Sequence, residues 1–185
     1  NGTQQEHIEI AWAVADAIAK IFPLAQEFKG KELQSIKRIA ISIGPSNFNA
    51  SRLITTCART ISQQIKCDLD IYSSFFLIAK RLLIKNKLKK NEQFWIFKEL
   101  RSRGYIVGKY ETTYKINKIT ELEIKELIKP KLYQYFLIKN NIYDAKFNIE
   151  EELKELLKLS YRNHEESITS PWKNALPIYP ISAIN

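Results

Sequence analysis

From Glu6 to Phe22, apolar residues fill nearly every position, interrupted by Glu9, Asp16 and Lys20 at spacings of seven and four. That spacing gathers the three polar residues into one narrow stripe of a helix. Ile8, Ile10, Trp12, Val14, Ile18, Ile21 and Phe22 take the other directions, with five alanines between them. A helix so nearly apolar all round needs cover on more than one side. Ala11, Ala15 and Ala19 share a face on which a second helix can approach closely. One cover is expected to be the chain's own sheet. The other is a neighbouring helix or a partner subunit.

The next segments alternate between two periods. Lys37 to Ile43, "KRIAISI", is rich in β-branched residues and predicts a strand. After the turn at Gly44-Pro45, Asn49 or Ser51 can cap a helix running to about Ile65. Its apolar stripe is Leu53, Ile54, Cys57, Ala58, Ile61 and Ile65. Asp68 to Tyr72 predicts a short strand, and Ser74 to Lys85 another helix. Strand, helix, strand in this length is a βαβ unit, so the sheet is at least partly parallel. Beyond Lys90 the pattern changes. Glu92 to Lys98 and "YIVGKYETTYKI" predict strands of a meander, Glu121 to Ile128 a short helix capped by Thr120, and "KLYQYFLI" from Lys131 another strand. Ile149 to Lys158 predicts an amphipathic helix. The tail "SPWKNALPIYPISAIN" holds three prolines and should run extended over the surface.

Composition narrows the classes. The chain has 185 residues, 45% of them hydrophobic, which suits one ordinary domain or two small ones. No apolar run approaches the roughly 18–20 residues of a membrane span, and the polar first residues carry no secretory signal. The chain lacks Met, so it is expected to begin inside a longer gene product. Cys57 and Cys67 are too few for a disulfide scaffold and form no CxxC pair, which points to a reduced, cytoplasmic setting. With only His7 and His164, a histidine-based metal centre is not expected, and no metal or cofactor is assigned. The net charge of +9 suits an anionic partner, although Lys80 to Lys90 is interleaved with Leu and Ile and equally describes a solvated face.

The stretch "ISIGPSNFNASR", residues 41–52, raises the question of chemistry. A Walker A loop needs a second glycine followed by Lys and Ser/Thr, and a dinucleotide loop needs GxGxxG; neither is present. The GxSxG elbow is missing as well. Two readings stay open. The helix start after Phe48 can attract an anion, helped by Arg52. Alternatively the turn is structural, with Phe48 plugging the sheet edge and Arg52 paired to a local carboxylate.

The same residues resemble the TsaB family, whose hallmark turn has the form GPGSFTGLR. Gly44, Pro45, Phe48 and Arg52 stand in register with it, while Ser46, Asn47, Asn49, Ala50 and Ser51 depart from it. The surroundings extend the likeness. "EHIEIAWAVADAIAKIF" resembles the family's upstream His-x-Glu helix, and "LQSIKRIAISIGP" its approach to the turn. "DIYSSFFLIA" is similar to its V-S-S-L-x-x-L-A segment, "ELRSRGYIVGKY" to D-A-R-x-x-E-V-Y-x-x-x-Y, "KITELEIKELI" to the following helix, and "ALPIYPIS" to the closing P-x-Y-x-R. The Arg101–Tyr105 segment lacks the family's Asp and Glu. The family's opening I-x-A-I-D-T strand and hairpin are not visible before Asn1, so the resemblance implies a divergent, N-terminally truncated member.

The resemblance implies an α/β, actin-like ATPase (ASKHA) fold, with mixed sheets, flanking helices and two related lobes. Residues 1–90 would form the N-terminal lobe, with its βαβ unit and interface helices, and residues 91–185 the C-terminal lobe with an extended tail. It also implies a non-catalytic scaffold in making threonylcarbamoyladenosine in tRNA. Such a scaffold binds a TsaD-like catalytic subunit, with a TsaE-like ATPase as a further partner and only indirect tRNA contact. The expected interface is Ile8, Ala11, Ala15 and Ala19 with Ala50, Leu53, Cys57 and Ile61, a surface that a free protein can also hide by homodimerising. The competing reading is a small basic nucleic-acid-binding module. It would use Lys80–Lys90 for phosphates and Phe94, Trp95, Tyr105 and Tyr110 for stacking.

Overall fold

Two short strands joined through a helix make the first layer. In a computed structural model, β1 (Arg38–Ser42) and β2 (Asp68–Tyr72) pair in parallel, with Arg38 opposite Asp68 and Ser42 opposite Tyr72. The crossover is α1 (Phe48–Ile65), the βαβ unit expected from the sequence. The structure describes residues 35–45, 48–85, 87–89, 91–99, 104–113, 119–128, 141–144 and 146–178. The chain divides into residues Asn1–Lys37 and a compact unit, Arg38–Asn185, to which everything below belongs. The apolar first helix expected at 6–22 and the strand expected from Lys131 lie outside the described residues.

Helix α2 (Ser74–Ile84) follows β2 directly and is the hub of the unit. Ser73 caps it by accepting a hydrogen bond from the Phe76 N–H at 2.9 Å. Its sequence, SFFLIAKRLLI, is apolar on several faces because it is packed on several. Phe75, Ile78, Ala79 and Leu82 join a core with Phe94, Ile96, Ile106 and Tyr110 of a second sheet. Leu77 instead meets Leu156 and Leu159 of α3 (Ile149–Glu165). Asn148 starts α3 by accepting from the Glu151 N–H, while the Glu152 carboxylate accepts from the Asn148 N–H. The helix runs seven residues past Lys158, where the sequence pattern placed its end.

The second sheet contains β3 (Gln93–Glu99), β4 (Tyr105–Thr112), β5 (Ile119–Ile128) and β6 (Ile142–Asp144), in the order β5-β4-β3-β6. The β3–β4 and β4–β5 pairs are antiparallel, and β3–β6 is parallel. The segment 121–128 is therefore a strand, and Thr120 lies within it rather than capping a helix. Its Glu, Leu and Lys are good helix formers, but Thr120 and three Ile suit a strand, and the ladder along the edge of β4 decides between the two. Gly108 sits where β4 passes under α2. A Cβ there would stand 2.9 Å from the Phe75 ring and 3.0 Å from the Tyr110 ring.

Two further corrections concern α1 and the tail. Asn49 and Ser51 lie inside the first turn of α1, which begins at Phe48. The buried side of α1 is Ser51, Thr55, Ala58 and Ser62; of the apolar stripe read from the sequence, Ala58 belongs to this side, while Ile54 and Ile61 are 46% and 41% exposed. The buried hydroxyls are satisfied locally, Thr55 donating to the Ser51 carbonyl and Ser62 to the Cys67 carbonyl. The tail does not simply cross the surface. A 3-10 turn at Trp172–Asn174 drops Ala175 into the core beside Ile41, Ile43 and Leu69. The Leu69 N–H donates to the Ser170 carbonyl at 2.8 Å, and the Ile178 N–H to the Ile43 carbonyl at 3.1 Å. No helix among the described residues is long and apolar enough to cross a membrane.

Candidate functional site

The glycine turn at the end of β1 is held by the protein itself. Gly44 has φ of 101°, a conformation that favours glycine, and the Gly44-Pro45 peptide is cis. Both residues are buried. The Ser74 N–H donates to the Gly44 carbonyl at 2.6 Å, and the Ser74 hydroxyl to the Pro45 carbonyl at 3.4 Å. The carbonyls of the turn thus fix the start of α2, which is a structural duty. Ser46 and Asn47 lie outside the described residues, as does the Phe48 side chain expected to plug the sheet edge. Arg52 is exposed and makes no ion pair among the described residues, contrary to the local pairing expected for it.

One turn further on, α1 carries an apolar face. Ala50 and Ile61 are exposed, and Leu53 and Cys57 half-buried. These positions, with Ile54, recur at helical spacing and form one stripe to the side of the buried Ser51–Thr55–Ala58–Ser62 line. The structure therefore brings together four of the eight residues expected at a subunit interface. The other four, Ile8, Ala11, Ala15 and Ala19, lie outside the described residues.

Two polar clusters flank this region. In the first, Asp70 is 2% exposed and accepts five hydrogen bonds. Arg38 supplies two of these in a fork, both at 2.8 Å. Ser160 and Asn163 of α3 and Ser170 of the tail supply the rest, at 2.6, 2.9 and 2.7 Å. Burial alone would raise the Asp70 pKa; the donors from Arg38, Ser160, Asn163 and Ser170 outweigh it and hold the carboxyl at about 2. Arg38 also reaches Asp68 at 3.1 Å, and Asp68 accepts from the Ser170 N–H. A cleft of about 260 Å³ lies alongside, lined by Tyr72, Asn163 and Asn174 among others. A permanently ionised carboxylate saturated with donors has no spare basicity for proton transfer. It fastens α3 and the tail to the parallel sheet. Its sequence trace was the Asp-x-Asp alternation inside "DLDIY", polar where a buried strand is usually apolar.

In the second cluster, the Ser73 and Tyr110 hydroxyls both donate to one oxygen of Glu121, at 3.0 and 2.9 Å. Burial pushes the Glu121 carboxyl upward, against the lowering effect of the Tyr110 and Ser73 hydrogen bonds. This cluster links the cap of α2 to β4 and β5. Among the described residues, no group of three or more His, Cys, Asp and Glu is arranged to hold a metal.

Several of the residues expected to serve a nucleic-acid module are committed within the fold. Phe94, Trp95 and Tyr110 are buried in the second sheet, where they cannot stack on bases. Within the Lys80–Lys90 run, Arg81 and Lys85 are paired with Glu151 and Glu152 of α3, and Lys80 lies over the Phe76 ring.

No known protein-family profile matches the sequence, and no curated protein does. Solved structures do. YeaZ from Pseudomonas aeruginosa superposes with a TM-score of 0.61 at 14% identity, over 88% of this chain and 84% of its own. The fold is that of YeaZ. A second crystal structure, described as an uncharacterized protein with similarity to peptidase YEAZ from Pseudomonas aeruginosa, gives a TM-score of 0.60 at 13% identity, over 80% of this chain and 76% of that one. YeaZ is the TsaB protein, so the TsaB-like, actin-like ATPase architecture expected from the turn and its surroundings is present, with mixed sheets and flanking helices.

Proposed function

We propose that this chain is a TsaB-type subunit: a non-catalytic scaffold that docks a TsaD-like catalytic subunit in threonylcarbamoyladenosine modification of tRNA. The observation that carries the proposal is the apolar stripe on α1, exposed beside a rigidly held turn, in a chain with the YeaZ fold. Contiguous exposed apolar surface of this kind marks protein contact. The saturation of Asp70 and the structural use of the turn support a role without chemistry of its own. Ile8, Ala11, Ala15 and Ala19 complete the proposed surface with Ala50, Leu53, Cys57 and Ile61. A TsaE-like ATPase and self-association in the absence of the partner belong to the same proposal.

The test is co-purification from the same cell. Ile61→Glu puts a charge on the stripe at an already exposed position, so the protein should stay folded and lose a TsaD-like subunit. Ala15→Arg should do the same from the first segment. If both variants fold and still retain that subunit, the docking surface lies elsewhere. A folded isolated chain that turns over ATP or transfers threonylcarbamoyl at substantial rates would remove the scaffold assignment.

A further inference from the structure

Helix α1 has a third side. At 100° per residue, the buried Ser51–Thr55–Ala58–Ser62 line lies between two flanks, each roughly 100° away. The apolar stripe is one flank; Arg52, Thr56 and Arg59 form the other. The arginine flank faces the tail, and together they enclose a cleft of about 390 Å³ lined by Arg52, Thr55, Thr56, Arg59, Leu176 and Pro177. No acidic side chain lines this cleft among the described residues. The Arg59 guanidinium is fixed over the Trp172 ring, 5.5 Å from its centroid. Arg52 makes no ion pair among the described residues.

We propose that this cleft binds the sugar–phosphate backbone of single-stranded RNA. The Cα atoms of Arg52 and Arg59, seven residues apart, are separated by about 10 Å along the helix axis, so the two guanidiniums are rooted at separate points of the cleft. A strand that repeats its anionic group satisfies both, whereas one small anion satisfies one. Guanidinium forks match phosphate oxygens, and Leu176, 63% exposed, offers with Pro177 an apolar wall for a sugar or base face. The net charge of +9 draws a polyanion toward the molecule. Because the two flanks of α1 are separate, an RNA strand and a protein partner can be held at once. The inference goes beyond the scaffold reading, since it places RNA on this subunit directly.

The experiment uses the full purified chain and a fluorescein-labelled single-stranded RNA of about 20 nucleotides, with anisotropy read across a salt series. The Arg52→Ala/Arg59→Ala variant should bind at least tenfold more weakly at low salt. Its log–log salt slope should be shallower by about 1.4, for two lost phosphate contacts. Arg59→Lys should keep the slope. If the double variant melts early, Arg52→Glu, at an exposed position, should by itself weaken binding and flatten the slope. Wild-type affinity and slope in these folded variants would overturn the proposal. So would displacement of the RNA at constant ionic strength by inorganic phosphate, or by a polyglutamate peptide of equal charge, because the cleft would then read one anion or bare charge. No partner protein enters the assay, so a negative result leaves the docking proposal intact.

Discussion

Replacing Asp70 by asparagine keeps the shape of the buried side chain and removes its charge. In the native protein, Oδ1 accepts from Arg38 Nη2, Asn163 and Ser170, and Oδ2 from Arg38 Nε and Ser160. Whichever way an asparagine amide is turned, its NH2 group meets at least two donors. The Arg38 guanidinium also loses its closest counter-charge. Breaking a buried pair from one side costs about 3–5 kcal/mol, a large share of the roughly 5–15 kcal/mol that holds a domain folded. For a chain of this size the melting temperature should fall by about 10 °C. The pH dependence gives an independent check. The folded carboxyl titrates at about 2, against 3.8 for the free group. A depressed carboxyl contributes stability that is present above pH 4 and lost as pH falls through 2. That contribution is about 2.5 kcal/mol. Urea melts of wild type and Asp70→Asn between pH 7 and pH 2 should therefore converge by roughly this amount at the acid end. A variant that melts within 2 °C of wild type, or curves that stay parallel through the acid range, would refute the account of Asp70 as the fastening of the unit.

Three further outcomes are expected. Glu121→Gln should raise the melting temperature at pH 7 and leave it unchanged near pH 4. The native carboxyl is raised by burial, so its ionisation opposes folding only at higher pH, while a Gln carbonyl can still accept from Ser73 and Tyr110. Gly108→Ala should lower stability by about 1–3 kcal/mol in urea titrations, because its methyl group would be driven against the Phe75 and Tyr110 rings. Gly44→Ala should lower it by about 1–3 kcal/mol for a different reason, the φ of 101°, with little change in the slope of the urea transition.

The order β1-α1-β2-α2 could be read from the sequence because each element obeys a local rule. A β-branched run makes β1, a short apolar-polar alternation makes β2, and glycine followed by a helix start makes the turn. The strand at Ile119–Ile128 could not, since its conformation is set by the edge of β4 and not by its own composition. The buried line of α1 is hard to read for a related reason. Its bulky aliphatics advertise a core face, yet the small hydroxyl residues face inward because the buried line requires small side chains satisfied by the helix itself. The Asp70 cluster was the least legible feature. Arg38, Ser160, Asn163 and Ser170 are 32, 90, 93 and 100 residues from Asp70, and nothing in local pattern joins them. The turn motif pointed to the right fold, and the packing beneath it then assigned Gly44 and Pro45 a structural part.

The distant origin of those donors gives the protein a schedule. During synthesis, β1, α1, β2 and α2 emerge long before α3 and the tail. Until Ser160, Asn163 and Ser170 arrive, Asp70 has only Arg38, and the parallel pair lacks Ala175 in its core. The first layer cannot reach its finished state until residues 160–178 have emerged, and it then closes contacts separated by up to 132 positions. Contacts of such long range slow folding, and they leave residues 160–178 to decide when this layer is complete. A ribosome that stalls before residue 170 would therefore release a chain with the sheet's pairing pattern but without its latch, a species suited to chaperone capture or proteolysis.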